Sequence, residues 1–462
     1  MNKTLITLAA AALVSGCSLA PVYQRPDAPV TAAWPQGEAY QPGKAAPDAK
    51  AAADIQWRDF ISDPKLRDVV GMALANNRDL RVSTLNIEKA RAQYGIERAA
   101  LLPKVSVGVD QSASRAPGGD ISRQYTGGLV VPAYELDFFG KLRNLSEAGL
   151  QSYLGTQEAR NAQQISLVSE VATAWLTLAA DKERLRLAQD TLKSQQISYE
   201  LSKRRFESGA TSGLDMYEAQ SSVEAARNDM AIYTAQVAAG ENALALLVGA
   251  PVPNELLPQG PLDGVAQLSD LPEGVPSAVL QRRPDVLEAE RSLQAANANI
   301  GVARAAFFPS ITLTGTAGSA SSSLSGLFKA GSGAWTFMPQ LRLPIFDGGV
   351  NSANLSIAKT DRDIAVARYE KSIQSAFREV ADALAQRGTM DERLASQVAL
   401  TTASEKSFRI HEARYQKGTE SYLNALVSQR AMYAAQQGLI TARLAKASNQ
   451  ITLYKVLGGG WS

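Results

Sequence analysis

Apolar residues at Ile165, Val168, Ala172, Trp175 and Ala179 step by three, four, three and four positions, the spacing of a coiled-coil seam. The stretch around them, Lys141 to Phe206, holds no proline and only two glycines, Gly149 and Gly155. It is predicted to be one helix roughly 100 Å long, about three times the hydrocarbon thickness of a bilayer. Glu158, Glu170, Asp181 and Arg184 within it exclude a lipid-spanning segment. Such a helix gains little alone and needs partners of matching length. Gly213 to Val248, roughly 54 Å, and Arg78 to Leu102, roughly 38 Å, are the predicted partners, stacked end to end alongside it.

After Pro103 the period changes to two. Val105, Val107 and Val109 alternate with Ser106, Gly108 and Asp110, predicting a strand with one apolar face. A turn at Pro117-Gly118-Gly119-Asp120 and a second strand, Tyr125 to Leu136, complete a hairpin.

The unit then repeats. Arg98-Ala99-Ala100-Leu101-Leu102-Pro103 matches Arg304-Ala305-Ala306-Phe307-Phe308-Pro309, and Arg205-Phe206 with Gly209 matches Arg414-Tyr415 with Gly418. The offset stays at about 206 to 209 residues, the register of a tandem duplication. The second copy is predicted to contain a helix from Pro284 to Phe308, strands at Ser310 to Ala317 and Trp335 to Ile345, a long helix from Val350 to Lys417 and a return helix from Ser421 to Leu457. On that long helix Ile373, Phe377, Val380 and Leu384 form the stripe. The glycine- and serine-rich stretch from Gly318 to Gly333 is predicted to be an exposed flexible loop. Trp335, Phe337, Leu341, Leu343 and Ile345 share one strand face, and Trp335 and Phe346 suit an interfacial girdle.

At the start, Lys3, the apolar run Leu5 to Val14 and the sequence Leu13-Val14-Ser15-Gly16-Cys17 form a secretory signal ending in a lipobox. Cys17, the one cysteine, is the predicted acylation site. The chain therefore divides into a signal peptide (1–16), an acylated tether (17–62), a first repeat (63–249, hairpin 104–137), a linker (250–276), a second repeat (277–458, hairpin 310–346) and a tail (459–462).

Composition narrows the function. Lys and Arg number 47 against 45 Asp and Glu, so a nucleic-acid partner is not expected. One histidine and one cysteine cannot assemble a metal cluster, a thiol site or a catalytic triad, so neither an enzyme nor a cofactor is expected. Beyond the signal no apolar run is read as a transmembrane helix, which leaves strands as the means of crossing a membrane. Four strands cannot close a barrel, so copies must share the task; a conduit favours three or more.

Cys17 in its lipobox, Leu101-Leu102-Pro103 with Phe307-Phe308-Pro309, Leu343-Pro344-Ile345-Phe346-Asp347-Gly348-Gly349, Arg414-Tyr415-Gln416-Lys417-Gly418 with Ser421-Tyr422-Leu423, and Ala434-Ala435-Gln436-Gln437 together resemble the outer membrane factor family. These are the TolC/OprM-like exit ducts of tripartite efflux pumps, here the NodT-type lipoprotein branch. The resemblance implies a mainly α fold with membrane β: a trimer whose twelve-stranded β-barrel continues into a twelve-helix coiled-coil periplasmic tunnel. It implies an anchor at Cys17 in the outer membrane. The implied partners are outer membrane lipids, a periplasmic membrane-fusion adaptor and an inner-membrane transporter of the resistance-nodulation-division type. An outlet for secreted polypeptides is the alternative within the family, and a poreless periplasmic coiled-coil scaffold the alternative outside it.

The resemblance also places a periplasmic aperture where the long helices reverse. Leu423 matches the constricting apolar ring, Tyr415 a tyrosine linking neighbouring coils, Asp215 its acidic partner and Arg430 a basic residue near the opening. Asn424 and Val427 stand where relatives carry acidic residues, with Glu420 and Asp215 as substitute negative charge. Gly209, Gly213, Gly418 and Ser421 mark the turn tips for adaptor docking. Pro103, Pro309 and Pro344 mark the breaks next to the strands.

Overall fold

The computed structural model describes residues 18–41, 51–260, 262 and 279–461. The lipobox, Cys17 and much of the predicted linker lie outside them. Short helices α1 (Trp57–Phe60) and α2 (Pro64–Asn76) precede α3 (Arg78–Ala99), β1 (Ser106–Arg115), β2 (Ile121–Leu136), α4 (Lys141–Glu207) and α5 (Gly213–Val248). The same order follows again as α6 (Pro284–Ala305), β3 (Ser310–Ser321), β4 (Gly333–Arg342), α7 (Val350–Gln416) and α8 (Tyr422–Val456). The long helices α4 and α7 each hold 67 residues.

Helices α3 and α6 stop at Ala99 and Ala305, three residues short of the predicted ends. Leu102 and Phe308 precede prolines, which disfavours the helical conformation there. The chain tightens into three-residue turns instead, with Leu102 N–H donating to Ala99 O and Phe308 N–H to Ala305 O, each at 3.1 Å.

The chain forms two compact units. The described part of the first comprises residues 18–27, 85–158 and 287–372. Its centrepiece is an antiparallel sheet in the order β1-β2-β3-β4. Proline is tolerated at two places: Pro339 lies in the edge strand β4, and Pro132 falls where the β2–β3 register shifts between Val131 and Tyr134. β3 runs on to Ser321, through residues predicted to be loop. The reason is steric. Gly128 faces Gly318 across the β2–β3 ladder; a Cβ on either would collide with the opposite backbone, at Ala317 O and Gly127 O respectively. Glycine here serves close strand approach rather than loop freedom. The remainder of the predicted flexible loop carries a 3-10 turn, Leu324–Gly326, and buries Leu327. β4 ends at Arg342, before Leu343-Pro344, rather than at Ile345.

In the same unit residues 18–25 of the predicted tether form neither helix nor strand, yet they are firmly held. Arg25 donates to both oxygens of buried Glu290, each at 2.8 Å, and Tyr23 Oη adds a bond to Glu290 Oε1 at 3.0 Å. Asn297 Nδ2 donates to Pro21 O, Arg304 to Leu19 O, and Ser18 Oγ to Asn144 Oδ1 at 2.8 Å.

The second unit, described over 28–41, 51–84, 159–260, 262, 279–286 and 373–461, contains the main hydrophobic core. The seam residues Ile165, Val168, Ala172, Trp175 and Ala179 are all buried. Although the helices are elongated, Phe60, Val69, Val70, Trp175, Leu176, Leu244, Ile451 and Tyr454 join one cluster. Helices α1 and α2 supply the cover, with Phe60 stacked on Tyr454 at 3.8 Å between ring centroids. The start of the predicted linker is also docked. Trp175 Nε1 donates to Leu256 O at 3.0 Å, and Leu257 and Leu262 are buried.

Contrary to the expectation that no apolar run beyond the signal suits a transmembrane helix, among the described residues α5 is long and apolar enough to cross a membrane by length and composition, with an 18-residue window of mean hydropathy 1.2. Ile232, Val237, Leu244, Leu246, Leu247 and Val248 contribute most of that value, with six alanines between and before them. Helix α5 nonetheless carries Glu241, which pairs with Lys182 of α4 at 3.0 Å.

Candidate functional site: the sheet faces and the helix turns

Strand register sorts the side chains of the sheet. Val107 pairs with Leu129, Leu129 with Ala317 and Ala317 with Trp335, so these four share one face. Val109, Ile311, Phe337 and Leu341 lie on that face too, and Val107, Val109, Trp335, Phe337 and Leu341 are all exposed. The other face carries Ser106, Asp110, Thr126, Thr312, Thr316 and Thr336. There Thr316 and Thr336 hydroxyls meet at 2.6 Å. The sheet is thus an exposed apolar layer backed by hydroxyls, with β1 and β4 at its two edges. An apolar outer face and polar inner face is the inversion that a membrane strand requires. Pro103 precedes β1 and Pro309 precedes β3, while Pro344 follows β4. Next to Pro344, Ile345 and Phe346 are 93% and 91% exposed.

In the second unit the two reversals share one hydrogen-bond pattern. Gly209 (φ 73°) donates to Phe206 O at 2.9 Å while Ala210 donates to Arg205 O at 2.8 Å. Gly418 (φ 75°) donates to Tyr415 O and Thr419 to Arg414 O, both at 3.0 Å. Each is a Schellman motif, in which only glycine takes the left-handed position without strain. Ser212 and Ser421 then sit at the N-caps of α5 and α8, and Gly213 opens α5 against the Phe206 ring.

Beyond the second turn, α8 presents two faces. Leu423, Asn424, Val427 and Arg430 are exposed along one stripe, whereas Tyr422, Ala425, Leu426 and Gln429 are buried. The predicted aperture residues of α8 thus share the surface face. Arg430 does not project freely; it donates to Ser222 Oγ at 3.2 Å and pairs with Glu218 at 3.5 Å, both on α5. Asp215 lies half-buried in the first turn of α5. Tyr415 is not hydrogen-bonded to Asp215 within the chain: its Oη is buried with no partner among the described residues. Its ring lies under Arg205, at 4.9 Å, and beside Tyr422, at 5.3 Å.

Glu420 is engaged instead of standing as loose charge. Its Oε1 accepts from His411 Nδ1 at 2.8 Å and from Asn424 Nδ2 at 3.1 Å. Desolvation pushes its carboxyl up, but the bonds from His411 and Asn424 and the charge of Arg414 outweigh it and hold the carboxyl below the usual glutamate range. His411, Tyr422, Arg205 and Glu218 were not singled out from the sequence as aperture residues. Their contacts cross between helices, and no local spacing announces them. Only the adjacency of Tyr422 to Leu423 pointed that way.

The profile of the outer membrane efflux protein family matches residues 69–250 and 275–459, one block on each half of the chain. The chain is 47% identical over 469 residues to the toluene efflux pump outer membrane protein TtgC of Pseudomonas putida, covering 100% of this chain and 96% of that protein. A solved membrane protein from Pseudomonas aeruginosa superposes with a TM-score of 0.88 at 41% identity, over 96% of this chain and 100% of that one. The open state of the Neisseria gonorrhoeae MtrE outer membrane channel gives a TM-score of 0.88 at 38% identity, over 96% and 99%. With most of its length matched, this chain belongs to the outer membrane efflux protein family.

Proposed function

We propose that this protein is the outer membrane exit duct of a tripartite pump that expels toxic solutes, toluene-like solvents and drugs among them. The observation that carries the reading is the four-stranded sheet with an exposed apolar face, a hydroxylated opposite face and two unpaired edges. Such a sheet is unstable alone in lipid, because each edge leaves backbone groups without partners. Three copies close the cylinder as twelve strands, a width that leaves a water-filled bore. The duplicated halves then supply twelve helical tracks for a periplasmic tunnel. Cys17 carries the lipid anchor, and its neighbour Ser18 is tied to Asn144 at the start of α4.

The turns at Gly209, Gly213, Gly418 and Ser421 form the end that meets a membrane-fusion adaptor, which couples the duct to an inner-membrane transporter. Leu423, Asn424 and Val427 line the closed aperture, with Arg430 behind them and Asp215, Tyr415 and Glu420 at its rim. Because Asn424 and Val427 are uncharged, selectivity for cations falls to Asp215 and Glu420. The test is single-channel recording in planar bilayers. Tyr415→Phe combined with Asp215→Ala removes the link proposed between neighbouring coils and is expected to raise conductance. Unchanged conductance sinks that assignment, and a protein that forms no channels in any variant sinks the duct itself.

A further inference from the structure

Seven buried side-chain polar atoms have no hydrogen-bond partner among the described residues, and six belong to the turn end of the second unit: Gln195 Oε1, Ser202 Oγ, Thr211 Oγ1, Tyr415 Oη, Glu420 Oε2 and Tyr422 Oη. A buried polar atom without a partner forfeits its hydration and receives nothing in return. Scattered examples are ordinary; with Tyr415 Oη assigned to the link between neighbouring coils, the five that remain at one end of a helical bundle make that packing locally unfavourable. Tyr422 is the most deeply placed of the aromatic pair, 4% exposed, its ring packed with Ala219 of α5 and Leu426 of its own helix. A phenylalanine would fill the same space. Burial, with Tyr415 beside it, pushes the Tyr422 hydroxyl pKa up to about 12, so it stays neutral and offers an unmet O–H donor.

We infer that the Tyr422 hydroxyl is an internal bias against the packed turn end, and that moving the start of α8 away from α5 returns water to it. The residue thereby sets how easily the end opens, a role distinct from that of the surface stripe at Leu423. The inference rests on reading this end as the duct's aperture.

The experiment compares two tyrosine-to-phenylalanine variants of the full-length protein by hydrogen–deuterium exchange. Tyr422→Phe removes an unpartnered hydroxyl and is expected to slow exchange across residues 415–430 by roughly tenfold. Tyr454→Phe removes a hydroxyl bonded to Ile55 O at 2.5 Å and is expected to speed exchange around its own site. Exchange at 415–430 that is unchanged or faster in Tyr422→Phe overturns the inference, as does slowing of the same sign in both variants. In planar bilayers Tyr422→Phe is expected to open several-fold less often. Slower exchange with unaltered opening leaves the bias standing and removes the aperture assignment instead.

Discussion

Residue by residue, the turn end is a set of small balances. Glu420 is the clearest, since its carboxyl is held below the usual range by His411 and Asn424. A depressed folded pKa means stability that is present above the unfolded value, about 4.3, and is lost as pH falls through the lower folded value. Acidification below about pH 4.3 should therefore loosen the junction between the end of α7 and the start of α8. Amide exchange at residues 411–424 should rise there in the parent, whereas Glu420→Gln should show the rise already at neutral pH and little further change. A flat parent profile across that window would discard the idea. At this scale it was the resemblance, not a local pattern, that singled out Leu423, Asn424, Val427 and Arg430, and the structure exposes all four on α8. The sequence was silent on Glu420 meeting His411, a contact made only once the chain has reversed at Gly418.

Among the elements, helices and strands differed in how well their limits could be read. Heptad steps are local, so α4 and α7 were legible nearly to their last turn. Strand ends depend on the neighbouring strand. β3 looked like a loop beyond Ala317 because glycine and serine disfavour strands in isolation, yet Gly318 is required by its cross-strand partner Gly128. Gly318→Val should consequently part β2 from β3, at a cost of about 1–3 kcal/mol from overpacking alone. Loss of a heat-modifiable oligomer on gels would register the change; a fully retained oligomer would argue against the close approach. The segment from Ser18 to Arg25 shows the converse limit. The sequence marked it only as part of a tether, and its attachment depends on Glu290, 265 positions away from Arg25, which no local pattern encodes.

For the whole molecule, the amphipathic sheet and duplicated element order make membership of the efflux family physically intelligible, beyond the sequence match itself. The proposed closure by three copies makes a direct prediction. Cysteines at Ser112 on β1 and Thr336 on β4 lie on the polar face at opposite edges. Introduced together, they should oxidise into a ladder that ends at three chains, while either alone should give none. A ladder that continues past three, or no ladder, would refute closure by a trimer. The main core was the part least legible in advance, because α1, α2 and the start of the linker reach it only through contacts such as Trp175 with Leu256. The bare margins of β1 and β4 carry a consequence for dosage in the cell. A lone copy awaiting company is exposed to proteases and to mispairing, so the yield of finished ducts should climb more steeply than the rate of synthesis, and a bacterium that halves production should forfeit well over half its export capacity.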